Sequence, residues 1–424
     1  MRFFYNLLSY LALLPYAGLF VFRSIVNRTY RVNLGQRFGF GYPKIAASIW
    51  VHAVSVGEVQ AALPLIRALQ ERYPAKRLLV TTVTPTGAAR VRVAFGDSVE
   101  HSYIPFEFPY AIKRFFAAVN PAAALVMETE IWPNLYRACG DRDIPLILVS
   151  ARISPRSVPN YKRLLPLIRK TLSYGIIIAA QSRSDADRFL LLGAAPDRTT
   201  VMGNIKFDVQ LPAQTSERGA RLRNEVIGER PVWIAASTHR GEERQVLDAH
   251  RMLLERHPNV LLILVPRHPE RFADVRQLVE KCGLEVVSRT EGQACAASTQ
   301  VLLGDTMGEM PLFFAASDVA FIAGSLVPIG GHNLLEPAAQ GLPIITGPHN
   351  FNAQEVADLF VESGACRMVG DWQEMAATVG ELLDGPDRRA ELGSNALALL
   401  EQNRGALARL LVLLDPLLDE RQGA

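Results

Sequence analysis

The residues able to do chemistry fall in short, separated clusters. In the tripeptide V-G-E at 56–58, Glu58 stands at a turn after the apolar run 48–54. There it can cap a helix, or act as a general base that takes a proton from an acceptor hydroxyl. Glu128 and Glu130 share the turn E-T-E-I-W-P, and Lys206 lies in N-I-K-F-D; each can orient an acceptor or offset charge in a transition state. Pro266, Arg267 and His268 close another apolar run, and the planar, permanently charged guanidinium of Arg267 suits bidentate contact with a phosphate or carboxylate. The alternative there is a solvated loop. The segment G-D-T-M-G-E-M at 304–310 places Met307, Gly308 and Glu309 where backbone groups can read a base. Residues 324–343 read GSLVPIGGHNLLEPAAQGLP. Gly330 and Gly331 permit close backbone approach, and His332 and Asn333 can cap a helix beginning near Leu334 and Leu335, an arrangement that holds a phosphate without a metal. Glu336, on that first turn, can accept hydrogen bonds from ribose hydroxyls.

These clusters need a scaffold that gathers them. Apolar runs at 48–54, 77–83, 122–127, 145–150 and 174–181 alternate with amphipathic stretches of helical length. A second series follows at 231–237, 260–266, 301–305, 319–324 and 342–347. Such alternation predicts parallel sheets with helical crossovers, in two Rossmann-like domains facing a cleft. Every cluster follows a predicted strand, and ligands of open α/β sheets bind beyond the carboxyl ends of the strands. The weakly apolar stretch 210–230 marks the boundary, so the expected domains are 23–210 and 211–424, after a membrane anchor at 1–22. The helical pattern at 389–418 reads as a helix packed on a domain.

Residues 3–22 form an uncharged run long enough to cross a hydrocarbon core, with Tyr5, Tyr10 and Tyr16 as interfacial rings and Asn6 and Pro15 interrupting it. The reading is an uncleaved anchor or in-plane helix, with the arginines after it placing the body in the cytoplasm. No acidic residue precedes Glu58, whereas Arg2, Arg23, Arg28, Arg31, Arg37 and Lys44 do. Removing these six from the 45 basic residues leaves 39 against 42 acidic ones, so the body lacks the broad basic field of a nucleic-acid binder. Cys139, Cys282, Cys295 and Cys366 are scattered, which fits a reducing compartment and suggests neither a disulfide framework nor a zinc site. P-loop, dinucleotide, zinc-protease and α/β-hydrolase motifs are missing. The D-x-D at 141–143 precedes a strand and reads as a solvated loop.

Taken together, VHAVSVGEV, ETEIWPNL, GNIKFD, STHRGEE, PRHPERF, GDTMGEM and GGHNLLEPAAQGLPIITGP resemble, in order and spacing, the motif set of the Kdo (3-deoxy-D-manno-octulosonic acid) transferase family. Glu336, Pro337, Gly341 and Pro343 also match the nucleotide-binding E-P-x-x-x-G-x-P element of GT-B glycosyltransferases. The resemblance implies transfer of Kdo from CMP-Kdo to the tetraacyldisaccharide lipid A precursor, lipid IVA, on the cytoplasmic face of the inner membrane. It implies an inverting reaction with neither metal nor cofactor. By the same resemblance Glu58 is the proton acceptor, and Lys206 with a glutamate of the ETEIWP turn, Glu130 in preference to Glu128, makes the transition-state contacts. CMP would be held by Pro266 and Arg267, by Met307, Gly308 and Glu309, and by Asn333, Leu334, Leu335 and Glu336. The competing readings are a GT-B transferase that uses a UDP-sugar for another envelope lipid, and a non-catalytic membrane-bound adaptor.

Overall fold

A computed structural model describes residues 2–419 of the chain. It divides into two compact units, one running to Asp208 and resuming at Asn403, the other spanning Val209–Gln402. Each is built on one seven-stranded, all-parallel sheet.

In the first unit the strands are β1 (Ile45–His52), β2 (Leu78–Thr82), β3 (Glu100–Tyr103), β4 (Val119–Met127), β5 (Leu146–Ala151), β6 (Ile177–Ala180) and β7 (Thr199–Val201). Their order across the sheet is β3-β2-β1-β4-β5-β6-β7. Helices cover both faces, so the central strands carry unbroken apolar runs: Ile49, Trp50 and Val51 of β1 and Ala123 through Met127 of β4 are all fully buried. The order reverses between β1 and β4, the position where a doubly wound sheet opens a crevice.

The second unit contains β8 (Val232–Thr238), β9 (Leu261–Pro266), β10 (Val286–Ser288), β11 (Val301–Leu303), β12 (Val319–Ile322), β13 (Ile344–Thr346) and β14 (Arg367–Met368). Its order is β10-β11-β9-β8-β12-β13-β14, with the reversal between β8 and β12. The sequence reading found ten of these strands. The four it missed, β3, β7, β10 and β14, are the edges of the two sheets. Edge strands are short and polar, so hydrophobic patterning does not mark them.

At one chain end an expectation is corrected, and at the other the structure adds contacts to the expected anchor. The helix Ala406–Asp419 was assigned with 211–424, but it packs on the first unit. Ala406, Leu410, Leu414 and Leu418 are buried in one core with Val59, Leu63 and Leu125. Its start is fixed by Asp208, whose carboxylate accepts from Gly405 N (2.6 Å) and Leu407 N (2.7 Å), and the Tyr73 hydroxyl bonds Asp415 at 2.6 Å. An apolar stripe shows that a helix packs, not on which domain.

At the other end, Phe3–Val26 is long and apolar enough to cross a membrane. It is divided into helices Arg2–Leu11 and Leu13–Val26, because Pro15 has no N–H to give Leu11. This segment is not separate from the body. Tyr10 meets Phe108, Tyr16 meets Phe106, and Phe20, 5% exposed, packs on Phe106 at 5.3 Å between ring centres. Phe20 also covers the guanidinium of Arg37 at 4.6 Å, which sits 4.2 Å from the Tyr103 ring on its other contact and donates to Val83 O. Burial lowers the Arg37 pKa to about 10. Phe3, Phe4, Leu8, Leu14, Phe22 and Ile25 remain exposed.

Candidate active site

In the first unit the candidate groups meet where the strand order reverses. The helix Val56–Arg72 follows β1, with Ser55 as its N-cap. Ser55 Oγ accepts from Glu58 N (3.4 Å), Glu58 Oε1 accepts from Ser55 Oγ (3.2 Å), and Glu58 Oε2 accepts from Val54 N (2.8 Å). This reciprocal capping positions the carboxylate. Burial raises its pKa to about 7; the charges of Glu128 and Glu130 add to the rise, and the Val54 N–H and Ser55 oppose it. Glu58 therefore caps the helix and carries a carboxyl whose pKa lies near neutrality.

The turn after β4 supplies the two other carboxylates. Glu128 adopts φ +57°, a left-handed conformation that costs a non-glycine residue of order 1 kcal/mol and persists only where its surroundings impose it. It accepts from Lys206 Nζ at 2.7 Å and pairs with Arg152 Nε at 3.3 Å. Glu130 Oε2 instead accepts from Trp132 Nε1 at 2.6 Å. Burial raises its pKa against that bond. Lys206 thus pairs with Glu128, while Glu130, the glutamate expected to make a transition-state contact, is bonded to Trp132. The short turn Ile205–Phe207 that carries it is held by Asn204 Oδ1, which accepts from Lys206 N, and by Ser150 Oγ, which accepts from Ile205 N.

His52 went unsingled in the sequence. Its Nδ1 lies 2.9 Å from Thr81 Oγ1, its ring is 5.9 Å from Trp132, and Nε2 has no partner among the described residues. Burial lowers its pKa to about 4, so it is neutral at pH 7. The D-x-D lies in the turn before β5, at the opposite end of the sheet, with Asp141 paired to Arg137 at 2.9 Å.

In the second unit the candidate segments follow β11, β9, β8 and β12, four strands that are contiguous in the sheet. Their organiser is Glu242, fully buried, which the sequence marks only as part of STHRGEE. Its carboxylate accepts from Gly324 N (2.7 Å), Leu326 N (3.0 Å), Ser325 N (3.1 Å) and His239 N (3.3 Å), pinning the glycine-rich segment to the end of β8. Its neighbour Glu243 is also buried and pairs with Arg271.

Arg267 is exposed at the end of β9, its backbone N–H bonded to Thr238 O. Glu336 accepts from Asn333 Nδ2 at 3.1 Å; burial raises its pKa, while Asn333 and the charge of Arg267 hold it down. The other side of Asn333 accepts from Leu335 N at 3.0 Å. The expected helix is one turn, Leu335–Ala338. It is too short for a sizeable dipole, so the expected phosphate contact by a helix terminus is replaced here by side chains as the available polar groups. Gly330 and Gly331 have positive φ, and a Cβ would come within 2.3 Å of Asn352 Nδ2 and Asn350 Oδ1 respectively; their close approach is to the protein's own loop. After β11, Glu309 pairs with Arg289 (3.2 Å) and accepts from Thr306 (2.7 Å), Gly308 takes φ +82°, and Met307 is exposed. Pro266, Leu334 and Leu335 are buried. Among the described residues no group of three or more His, Cys, Asp or Glu is arranged to hold a metal ion.

The chain is similar to known proteins along nearly its whole length. Residues 32–209 match the family model described as 3-deoxy-D-manno-octulosonic-acid transferase (kdotransferase), and residues 230–398 match glycosyl transferases group 1. The chain is 42% identical to the 3-deoxy-D-manno-octulosonic acid transferase of Haemophilus influenzae, over 99% of both chains. It is 37% identical to that of Bordetella pertussis, over 88% of this chain and 87% of the relative. An Anabaena protein crystallised with UDP shares the fold at a TM-score of 0.52 and 16% identity, covering 87% of this chain and 99% of its own.

Proposed function

The chain belongs to the 3-deoxy-D-manno-octulosonic acid (Kdo) transferase family, and from that premise we propose a donor, an acceptor and a role for each site residue. It is a glycosyltransferase of GT-B fold that transfers Kdo in lipopolysaccharide biosynthesis. The donor is CMP-Kdo and the acceptor is the tetraacyldisaccharide lipid A precursor. The exposed apolar face of the N-terminal helices holds the enzyme to the inner membrane, with the body on the cytoplasmic side.

The observation that carries the mechanism is the Glu58 carboxylate, built into a helix cap and raised to a pKa of about 7. Glu58 takes the proton of the acceptor hydroxyl. The oxygen attacks the anomeric carbon of Kdo while its bond to the CMP phosphate breaks, CMP leaves with the electron pair, and the anomeric configuration inverts. Lys206 offsets negative charge in the transition state. Its partner Glu128, strained and ion-paired, is the glutamate of the ETEIWP turn that holds it in place. Glu130, without a cation partner in its hydrogen bond to Trp132, adds to the field that raises Glu58.

On the donor side, Arg267, Asn333 and Glu336 hold CMP together with Pro266, Met307, Gly308, Glu309, Leu334 and Leu335. No divalent metal is required, because Arg267 supplies the counter-charge of a single phosphate. Calorimetric titration with CMP and UDP tests this reading. CMP is expected to bind in chelator, and UDP to bind at least about tenfold more weakly. Preference for UDP, or binding that requires magnesium, would support the UDP-sugar alternative.

A further inference from the structure

His239 and His332 form a contact that the donor assignment leaves without a purpose. His239 follows Thr238, the last residue of β8, two residues after Ser237, which has φ +64°, and His332 follows Gly330 and Gly331 in the glycine-rich segment after β12. Their ring planes are 7° apart with centres 5.0 Å apart, and Nε2 of one lies 2.8 Å from Nε2 of the other, so the rings meet edge to edge in nearly one plane. A Cβ on Gly324 would stand 3.0 Å from His332 Nε2 in a backbone conformation of φ +71°, so the pair occupies space that a glycine leaves open. His268 meets His239 edge-on at 5.3 Å.

Two neutral imidazoles joined through Nε2 share one proton: one ring donates, the other accepts. A second proton goes to a free Nδ1. The pair then carries one positive charge, and its internal bond becomes charge-assisted and stronger. In the free protein several features oppose that proton. Burial lowers His332 to about 3 and also lowers His239, and the charges of Arg267 and His268, with Arg271 for His239, act in the same direction. The nearby acids do little to relieve this: Glu242 is occupied by four backbone N–H groups, Glu243 is paired with Arg271, and Glu336 is bonded to Asn333 and held down by Arg267. Burial is the larger cause and stays; an anion placed on Arg267 acts against it, because it offsets the Arg267 charge and adds negative charge beside the pair.

We infer that His239 and His332 form a proton-accepting anion subsite, which takes up one proton when the phosphate of the donor nucleotide binds. The inference rests on the donor reading above. The added proton places positive charge beside the phosphate that leaves as CMP, so the pair positions and charges the leaving-group site.

The test is calorimetric titration of the full-length protein at pH 7.5 with CMP and with cytidine, in buffers of differing ionisation enthalpy. A phosphate monoester with a second pKa of about 6 is almost fully ionised there and contributes little proton exchange of its own. Wild type should take up a measurable fraction of a proton per CMP and none with cytidine. CMP affinity should fall as pH rises through the pKa of the complex. His239→Gln and His332→Gln should each bring the uptake close to zero and flatten that pH dependence. Binding of CMP to wild type without proton uptake, equal uptake with cytidine, or uptake that survives in both variants overturns the inference. Failure of CMP to bind at all removes the donor assignment instead, and the pair's role with it.

Discussion

Replacing Glu58 by glutamine separates its two roles. The amide keeps the cap, since its oxygen can accept from Val54 N as the carboxylate does, and its nitrogen can donate to Ser55 Oγ in place of the bond the carboxylate now accepts from that hydroxyl. It cannot take a proton, so turnover at saturating donor and acceptor should fall by about two to four powers of ten. Stability should move the other way. A carboxylic acid raised from 4.5 to about 7 in the folded state binds its proton more tightly there than in the unfolded chain. The fold is therefore penalised progressively as pH rises from 4.5 through 7, and fully above that, by up to about 3 kcal/mol. Glutamine carries no such penalty. Glu58→Gln should unfold at higher denaturant concentration than wild type at pH 8, with the gap closing towards pH 5. Parallel urea titrations at the two pH values and steady-state rates check both halves. Turnover within a few-fold of wild type, with no gain in stability at pH 8, would reduce Glu58 to a helix cap and refute the reasoning.

Other perturbations follow from named contacts. Lys206→Ala should lower turnover strongly while CMP affinity stays within a few-fold, since Lys206 lies in the first unit; an equal loss in CMP binding would contradict its assignment. Arg267→Ala and Glu336→Ala should each weaken CMP binding by about tenfold or more, the effect of losing a charged hydrogen-bond partner worth roughly 1.5–3 kcal/mol, read by calorimetry. Phe20→Ala uncovers the buried Arg37 and should destabilise the fold by about 3 kcal/mol in chemical denaturation. An unchanged midpoint would mean the N-terminal helices are dispensable to the body. Glu242→Ala strands four backbone N–H groups and should cost both stability and CMP affinity, whereas Glu309→Ala should spare stability more, because Arg289 keeps access to solvent.

The sequence showed the central strands and the clusters after them because buried parallel strands are continuous apolar runs, and because clustered Gly, His, Asn and Glu stand out beside them. It did not show which strands are neighbours. That Glu58 and Glu128 flank one reversal of strand order, and His239 and Gly324 the other, follows from the pairings β1–β4 and β8–β12, between segments distant in the chain. That Lys206 bonds Glu128 and not Glu130 depends on a contact across 78 residues, and no spacing rule reaches that far. Glu242 was hidden for another reason: four of its bonds go to main-chain groups, which leave no trace in residue type. The return of the last helix to the first unit depends on Asp208 and Asp415, ordinary acids until Gly405, Leu407 and Tyr73 are seen against them.

Product analysis with purified enzyme decides the account of donor, acceptor and stereochemistry together. Incubation with CMP-Kdo and the tetraacyldisaccharide precursor in the presence of a chelator, followed by mass and NMR analysis of the lipid, is expected to show at least one added Kdo whose anomeric configuration is opposite to that of the donor. No Kdo-bearing lipid from CMP-Kdo under conditions where a UDP-sugar is transferred, or a product that retains the donor's configuration, would contradict it.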